Sequence, residues 1–197
     1  TWQHLNESRT SDLEAMRKAK KKSIAHIEFM VSLYLEQYDA GRYFLHEHPR
    51  YATSWQLKVM QDLVAAPGVQ MAHCDQCQYG AEARRISFNG FPIMKPPGFL
   101  TNSPALAQAL SRKCGGAGCQ CSRPGVGKRT LCSGRNATDA AVNPRGLCRA
   151  IVKGTVEQLR LYHLLEDGCY GVQVADDDAA VAASMMGPDQ GYPGKYC

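Results

Sequence analysis

Leu13, Met16, Ile24, Ile27, Val31, Tyr34 and Tyr38 fall on three- and four-residue steps, the spacing of one face of an α-helix. Ser11 or Asp12 can cap that helix and Gly41 can stop it, so the pattern predicts a helix running to about Ala40. The period then changes. Tyr43-Phe44-Leu45 is a contiguous aromatic and aliphatic run suited to a buried strand. It delivers His46-Glu47-His48 and stops at Pro49, which has no N–H to continue a ladder. Thr53 or Ser54 opens a second helix through Ala66, with Trp55, Val59, Leu63 and Val64 on its apolar side and Pro67-Gly68 as its stop. Val69 to Cys74 reads as a second strand and Phe99 to Asn102 as a third. Ser103-Pro104 starts a helix to about Lys113, with proline in the first turn, where its missing N–H costs nothing. Pro144 starts the last helix, which buries Leu147, Ile151, Val152, Val156, Leu159, Tyr162 and Leu165.

Helix, strand, helix, strand in this order predicts an α/β domain with a mainly parallel, Rossmann-like sheet and flanking helices. Side chains alternate along a strand, so His46 and His48 should face one way and Glu47 the other. Open α/β sheets hold ligands beyond the carboxyl ends of their strands, which is where this polar cluster would sit. Asn89-Gly90 and Pro96-Pro97-Gly98 mark residues 81–98 as loop or hairpin, and residues 114–135 form a basic loop rich in Gly, Cys, Ser and Arg. Beyond Asp167 the chain turns Gly-, Pro- and Asp-rich. Residues 1–165 are therefore expected to be the domain and 166–197 a disordered tail.

The 197 residues, 44% of them hydrophobic, suffice for one core. No run of about 18 apolar residues predicts a membrane span, and the N-terminal stretch has no signal-peptide h-region. The opening Thr-Trp-Gln-His lacks an initiator methionine, which points to a segment of something longer. Nine cysteines, an odd number in a chain of this size, argue against a secreted disulfide scaffold and for a reducing, intracellular setting.

Charge adds a direction. Residues 1–135 hold 18 Lys and Arg against 10 Asp and Glu, while residues 136–197 hold 5 against 8. A basic body with an acidic end suits a polyanion such as DNA better than a membrane. Lys18, Lys20, Lys21 and Lys22, with Arg123, Lys128 and Arg129, are the candidate phosphate contacts.

Two motifs fail on spacing. Gly125-Val126-Gly127-Lys128-Arg129-Thr130 is not a P-loop, because Ser122 and Arg129 stand where a glycine and a hydroxyl are required. His46-Glu47-His48 lacks the two-residue spacer of the zincin helix. Cys74-Asp75-Gln76-Cys77 has the spacing of half a zinc knuckle, to which Cys114, Cys119, Cys121 or Cys132 can add ligands. Cys74, Cys77, Cys119 and Cys121 are the set expected if zinc is bound.

Four blocks in order, Arg42 to Trp55, Asp75 to Gly80, Lys95 to Ser103 and Pro144 to Ile151, resemble a domain embedded in eukaryotic retroelement polyproteins. That domain is in turn similar to the C-terminal half of phage-type cytosine-C5 DNA methyltransferases. The resemblance implies that Glu47 is the catalytic glutamate that holds a flipped-out cytosine. It also implies that His46, His48, Tyr79, Gly80 and Lys95 lie around the base and its phosphates. A carboxyl group there bonds N3 and the exocyclic amine and stabilises charge developing on the ring. Such enzymes need a Pro-Pro-Cys nucleophile and a glycine-rich turn for S-adenosylmethionine, and this chain has neither. Pro97 and Thr130 also depart from the threonine and histidine usual in the polyprotein domain. The expectation is a Rossmann-like domain truncated in its N-terminal half and inactive alone. S-adenosylmethionine would then be a cofactor of the parent domain only, and the setting intracellular and nuclear. The alternatives are a non-enzymatic, zinc-stabilised nucleic-acid-binding module and a degenerate transposon relic.

Overall fold

The computed structural model describes residues 12–84, 90–130, 132, 136–137 and 140–165, so the expected tail at 166–197 lies outside the described residues. Helix α1, Leu13–Asp39, begins at Asp12, whose Oδ1 accepts from the Ala15 N–H at 2.8 Å, and it is followed by Gly41 at φ +68°. Strand β1 is Leu45–Pro49. A 3-10 turn, Thr53–Gln56, leads into helix α2, Lys58–Val64, and strand β2 is Gln70–His73. A second 3-10 turn, Gln76–Tyr79, precedes strand β3, Pro97–Thr101. Helix α3, Pro104–Ala109, is capped by Ser103, and helix α4 spans Arg145–Leu161.

The mainly parallel, Rossmann-like sheet does not form. The three strands are ordered β1-β3-β2, and β3 is antiparallel to both neighbours. β1 and β2 do point the same way, because each opposes β3. The helical crossover between them required only that common direction, not that they be adjacent. The return through residues 74–96 then brings β3 into the gap from the opposite end. The ladder ends where Asn102 Oδ1 takes the Phe44 N–H at 3.0 Å and Thr101 Oγ1 donates to Phe44 O at 2.6 Å.

Register divides the sheet into two faces. His46, Leu100 and Met71 form one row, and His48, Gly98 and His73 the next. This face is covered by α1, the first 3-10 turn and α2, through Val31, Trp55, Met60 and Leu63. Glu47, Phe99 and Ala72 share a row on the other face, where Phe99 and Ala72 pack with Ala107 and Leu110 after β3 and with Leu147 of α4. α3 and α4 lie so close that a Cβ on Gly154 would meet Leu106 and Ala109 at 3.1 Å. Buried Gln158 ties them: its Oε1 accepts from Ser103 Oγ at 2.6 Å and from the Ala105 N–H at 3.2 Å. Of the residues expected inside α4, Leu147 is fully buried, whereas Val152 and Tyr162 are exposed. None of the described helices is long and apolar enough to cross a membrane.

Candidate functional site

Strand alternation places the predicted base-recognition residues on opposite faces of the sheet. Glu47 is exposed on the α3–α4 side. Its charge is felt by Cys74, whose thiol is pushed up to about 12 by burial first and then by Asp75 and Glu47. Tyr79 is buried; its hydroxyl donates to Ala109 O at 2.8 Å and accepts from the Arg112 N–H at 3.2 Å. Lys95 Nζ donates to Ala140 O at 3.0 Å. Gly80, at φ +87°, is exposed beside the Arg123 guanidinium. Among the described residues no hydrogen bond or ion pair joins Glu47 to Tyr79 or Lys95, whose polar ends meet backbone groups instead.

His46 and His48 are built into the opposite face. Their rings stack at 5.6 Å, with Trp55 edge-on at 5.5 Å from His46 and 5.8 Å from His48. Tyr34 Oη lies 3.1 Å from His46 Nδ1, and Ser54 Oγ lies 2.6 Å from His48 Nε2. Burial lowers both histidines, His46 to about 4 with a further push from His48. Both are neutral and stand between the sheet and what covers it, His46 against Tyr34 of α1 and His48 against Ser54 and Trp55 of the first 3-10 turn. A cleft of about 520 Å³ opens beside them, lined by Arg50, Tyr51, Trp55, Gln56, Met71 and His73 rather than by Glu47 or Lys95.

The basic residues separate into two kinds. Lys18, Lys20, Lys21 and Lys22 all lie exposed in the early turns of α1, beside exposed Arg17. Lys128 is exposed at the bridge it forms with Gln120. Arg123 is paired with Glu82. Arg129 folds back on its own loop, donating to Gly118 O and to Cys114 Sγ, the latter at 3.4 Å. The two arginines therefore hold the loop, and the helix carries the exposed charge.

That loop is organised by sulfur. The Sγ atoms of Cys77, Cys114 and Cys121 all lie within 4.8 Å of one another, with Cys77 and Cys121 buried. Gly116 makes the close return possible, since a Cβ there would stand 2.3 Å from Gln120 O. The Cys121 N–H donates to Gly127 O at 3.0 Å, and the Cys114 N–H donates to Asp75 Oδ2 at 2.7 Å. Burial and the neighbouring sulfurs raise the Cys77 thiol. Burial also opposes ionisation of Cys114, but hydrogen bonds from Ser122 and Gly116 outweigh it and bring that thiol down to about 6.

Of the expected zinc set, Cys77 and Cys121 meet, while Cys74 packs with Phe99 and Leu147 and Cys119 is disulfide-bonded. Cys114, one of the four cysteines that the sequence offered as further ligands, joins them instead. No protein-family model matches the chain, and no curated protein or solved structure matches it.

Proposed function

We propose that this chain is a non-enzymatic nucleic-acid-binding module whose phosphate-contacting element is the basic first half of α1. The observation that carries it is the exposed run Arg17, Lys18, Lys20, Lys21 and Lys22, placed where the helix projects from the core. The only fully buried residue of α1 is Val31, and the residues that join it against the sheet are Ile27, Tyr34 and Tyr38, all C-terminal to the lysines. A 27-residue helix is about 40 Å long, so its amino-terminal turns can lie along a phosphate backbone without displacing the core. Cations that neutralise phosphates release counterions, which makes such binding strong at low salt and weak at moderate salt.

The cytosine-holding role for Glu47 is supported less well. It needs a carboxylate converging with Tyr79 and Lys95 on a base, and those side chains are committed to Ala109, Arg112 and Ala140.

Fluorescence anisotropy with labelled duplex DNA, single-stranded DNA and duplex RNA tests the proposal. If about four phosphates are neutralised, affinity should fall roughly a hundredfold between about 50 and 200 mM salt. Absence of binding to all three probes at the lower salt overturns it.

A further inference from the structure

We propose that Cys77, Cys114 and Cys121 bind a thiophilic metal ion, zinc above all, which holds the glycine-rich loop to the body of the domain. The inference stands on geometry and is independent of nucleic-acid binding.

Two sulfurs bound to one tetrahedral zinc, each at about 2.3 Å, are about 3.8 Å apart. Cys114 Sγ and Cys121 Sγ are 3.9 Å apart, and Cys77 Sγ completes the triangle within 4.8 Å. A disulfide uses two sulfurs and strands the third, whereas a metal ion uses all three.

Donors already surround the sulfurs. The Ser122 N–H lies 3.4 Å from Cys114 Sγ, and Gln78 Nε2 lies 3.5 Å from Cys121 Sγ. Arg129 Nη1, at 3.4 Å from Cys114 Sγ, brings a full positive charge. Three thiolates and a divalent ion leave one net negative charge, which this guanidinium offsets. Groups of this kind, bonded to the ligands rather than to the ion, orient thiolates and tune their affinity.

The loop has almost no apolar anchor of its own. Apart from Cys121, none of residues 111–129 is buried, and none belongs to a hydrophobic cluster. Its other attachments are the Cys119 disulfide, the Arg123–Glu82 ion pair, single bridges and hydrogen bonds. A metal bound by Cys77 on one side and by Cys114 and Cys121 on the other would close it onto the second 3-10 turn. Among the described residues, these three cysteines are the His, Cys, Asp or Glu ligands that come together here. Each of these thiols that is still protonated gives its proton to solvent as its sulfur–metal bond forms, and no electron is transferred.

The test is Co²⁺ and Zn²⁺ titration of the reduced, chelator-treated full chain. Co²⁺ should give thiolate charge-transfer and tetrahedral ligand-field bands that saturate at about one ion per chain and that Zn²⁺ displaces. Zn²⁺ should raise the melting temperature of the same sample, a readout that needs no variant. Cys114→Ser and Cys121→Ser should remove the thiolate band, while Cys74→Ser and Cys148→Ser keep it. Absence of the band with an unchanged melting temperature overturns the proposal. So does a band that survives in the Cys114 and Cys121 variants.

Discussion

The Tyr34 hydroxyl lies 3.1 Å from Nδ1 of His46, joining the C-terminal part of α1 to the first strand of the sheet. The same tyrosine stacks on Phe44 at a ring separation of 5.0 Å. The basic helix is thus fixed to the core by aromatic packing around a neutral histidine, well beyond its lysines.

That contact predicts acid sensitivity. His46 is held near 4 by burial and by His48, below its ordinary 6.5, so the folded state binds fewer protons than the unfolded chain. Its contribution to stability is complete above about 6.5 and is lost as pH falls toward about 4. His46→Phe keeps an aromatic ring and removes the titration. Urea midpoints measured from pH 7 to pH 4 should fall less steeply for the variant than for the wild-type chain. Parallel curves would show that His46 does not contribute to the acid response.

Gly146 is predicted to be intolerant of a side chain. A Cβ there would sit 2.3 Å from Tyr79 O, a backbone atom fixed by the second 3-10 turn, so the start of α4 would have to shift. Gly146→Ala should cost about 1–3 kcal/mol by denaturant unfolding, the usual range for overpacking. Gly127→Ala, where nothing lies within 4 Å, should stay within about 0.5 kcal/mol.

Gln158 should be equally sensitive for a different reason. Its amide accepts from Ser103 and Ala105 and donates to the Tyr43 hydroxyl at 3.2 Å, while only 2% of the residue is exposed. Gln158→Leu keeps the approximate volume but leaves the Ala105 N–H without that acceptor. A loss of about 1–3 kcal/mol in unfolding free energy is expected. A neutral result would mean that α3 and α4 are held by apolar contact alone.

Local patterns were legible in the sequence wherever the cause was local. The Asp12 cap, the Gly41 stop, the opposite facing of His46 and Glu47, and the helix after Pro144 all follow from neighbours a few residues away. The position of β3 did not, because insertion between β1 and β2 is a long-range choice that helix and strand periodicity leave open. The thiol site was half legible. Cys74 and Cys77 look like one pair in sequence, but Cys74 ends in the Phe99 core and the 3-10 turn sends Cys77 toward Cys114 and Cys121. Arg123 and Arg129 counted as free charge in the sequence, although Glu82 and the loop carbonyls engage them in the fold.

The most direct test of polyanion binding by α1 is the salt dependence of duplex-DNA affinity for Lys18→Gln/Lys21→Gln/Lys22→Gln beside the wild-type chain. Losing three phosphate contacts should make the slope of log K against log salt about 2.7 less negative and weaken binding most at low salt, with the unfolding transition unchanged. An affinity and slope identical to those of the wild-type chain would contradict the account, leaving these lysines as a solvated helix surface.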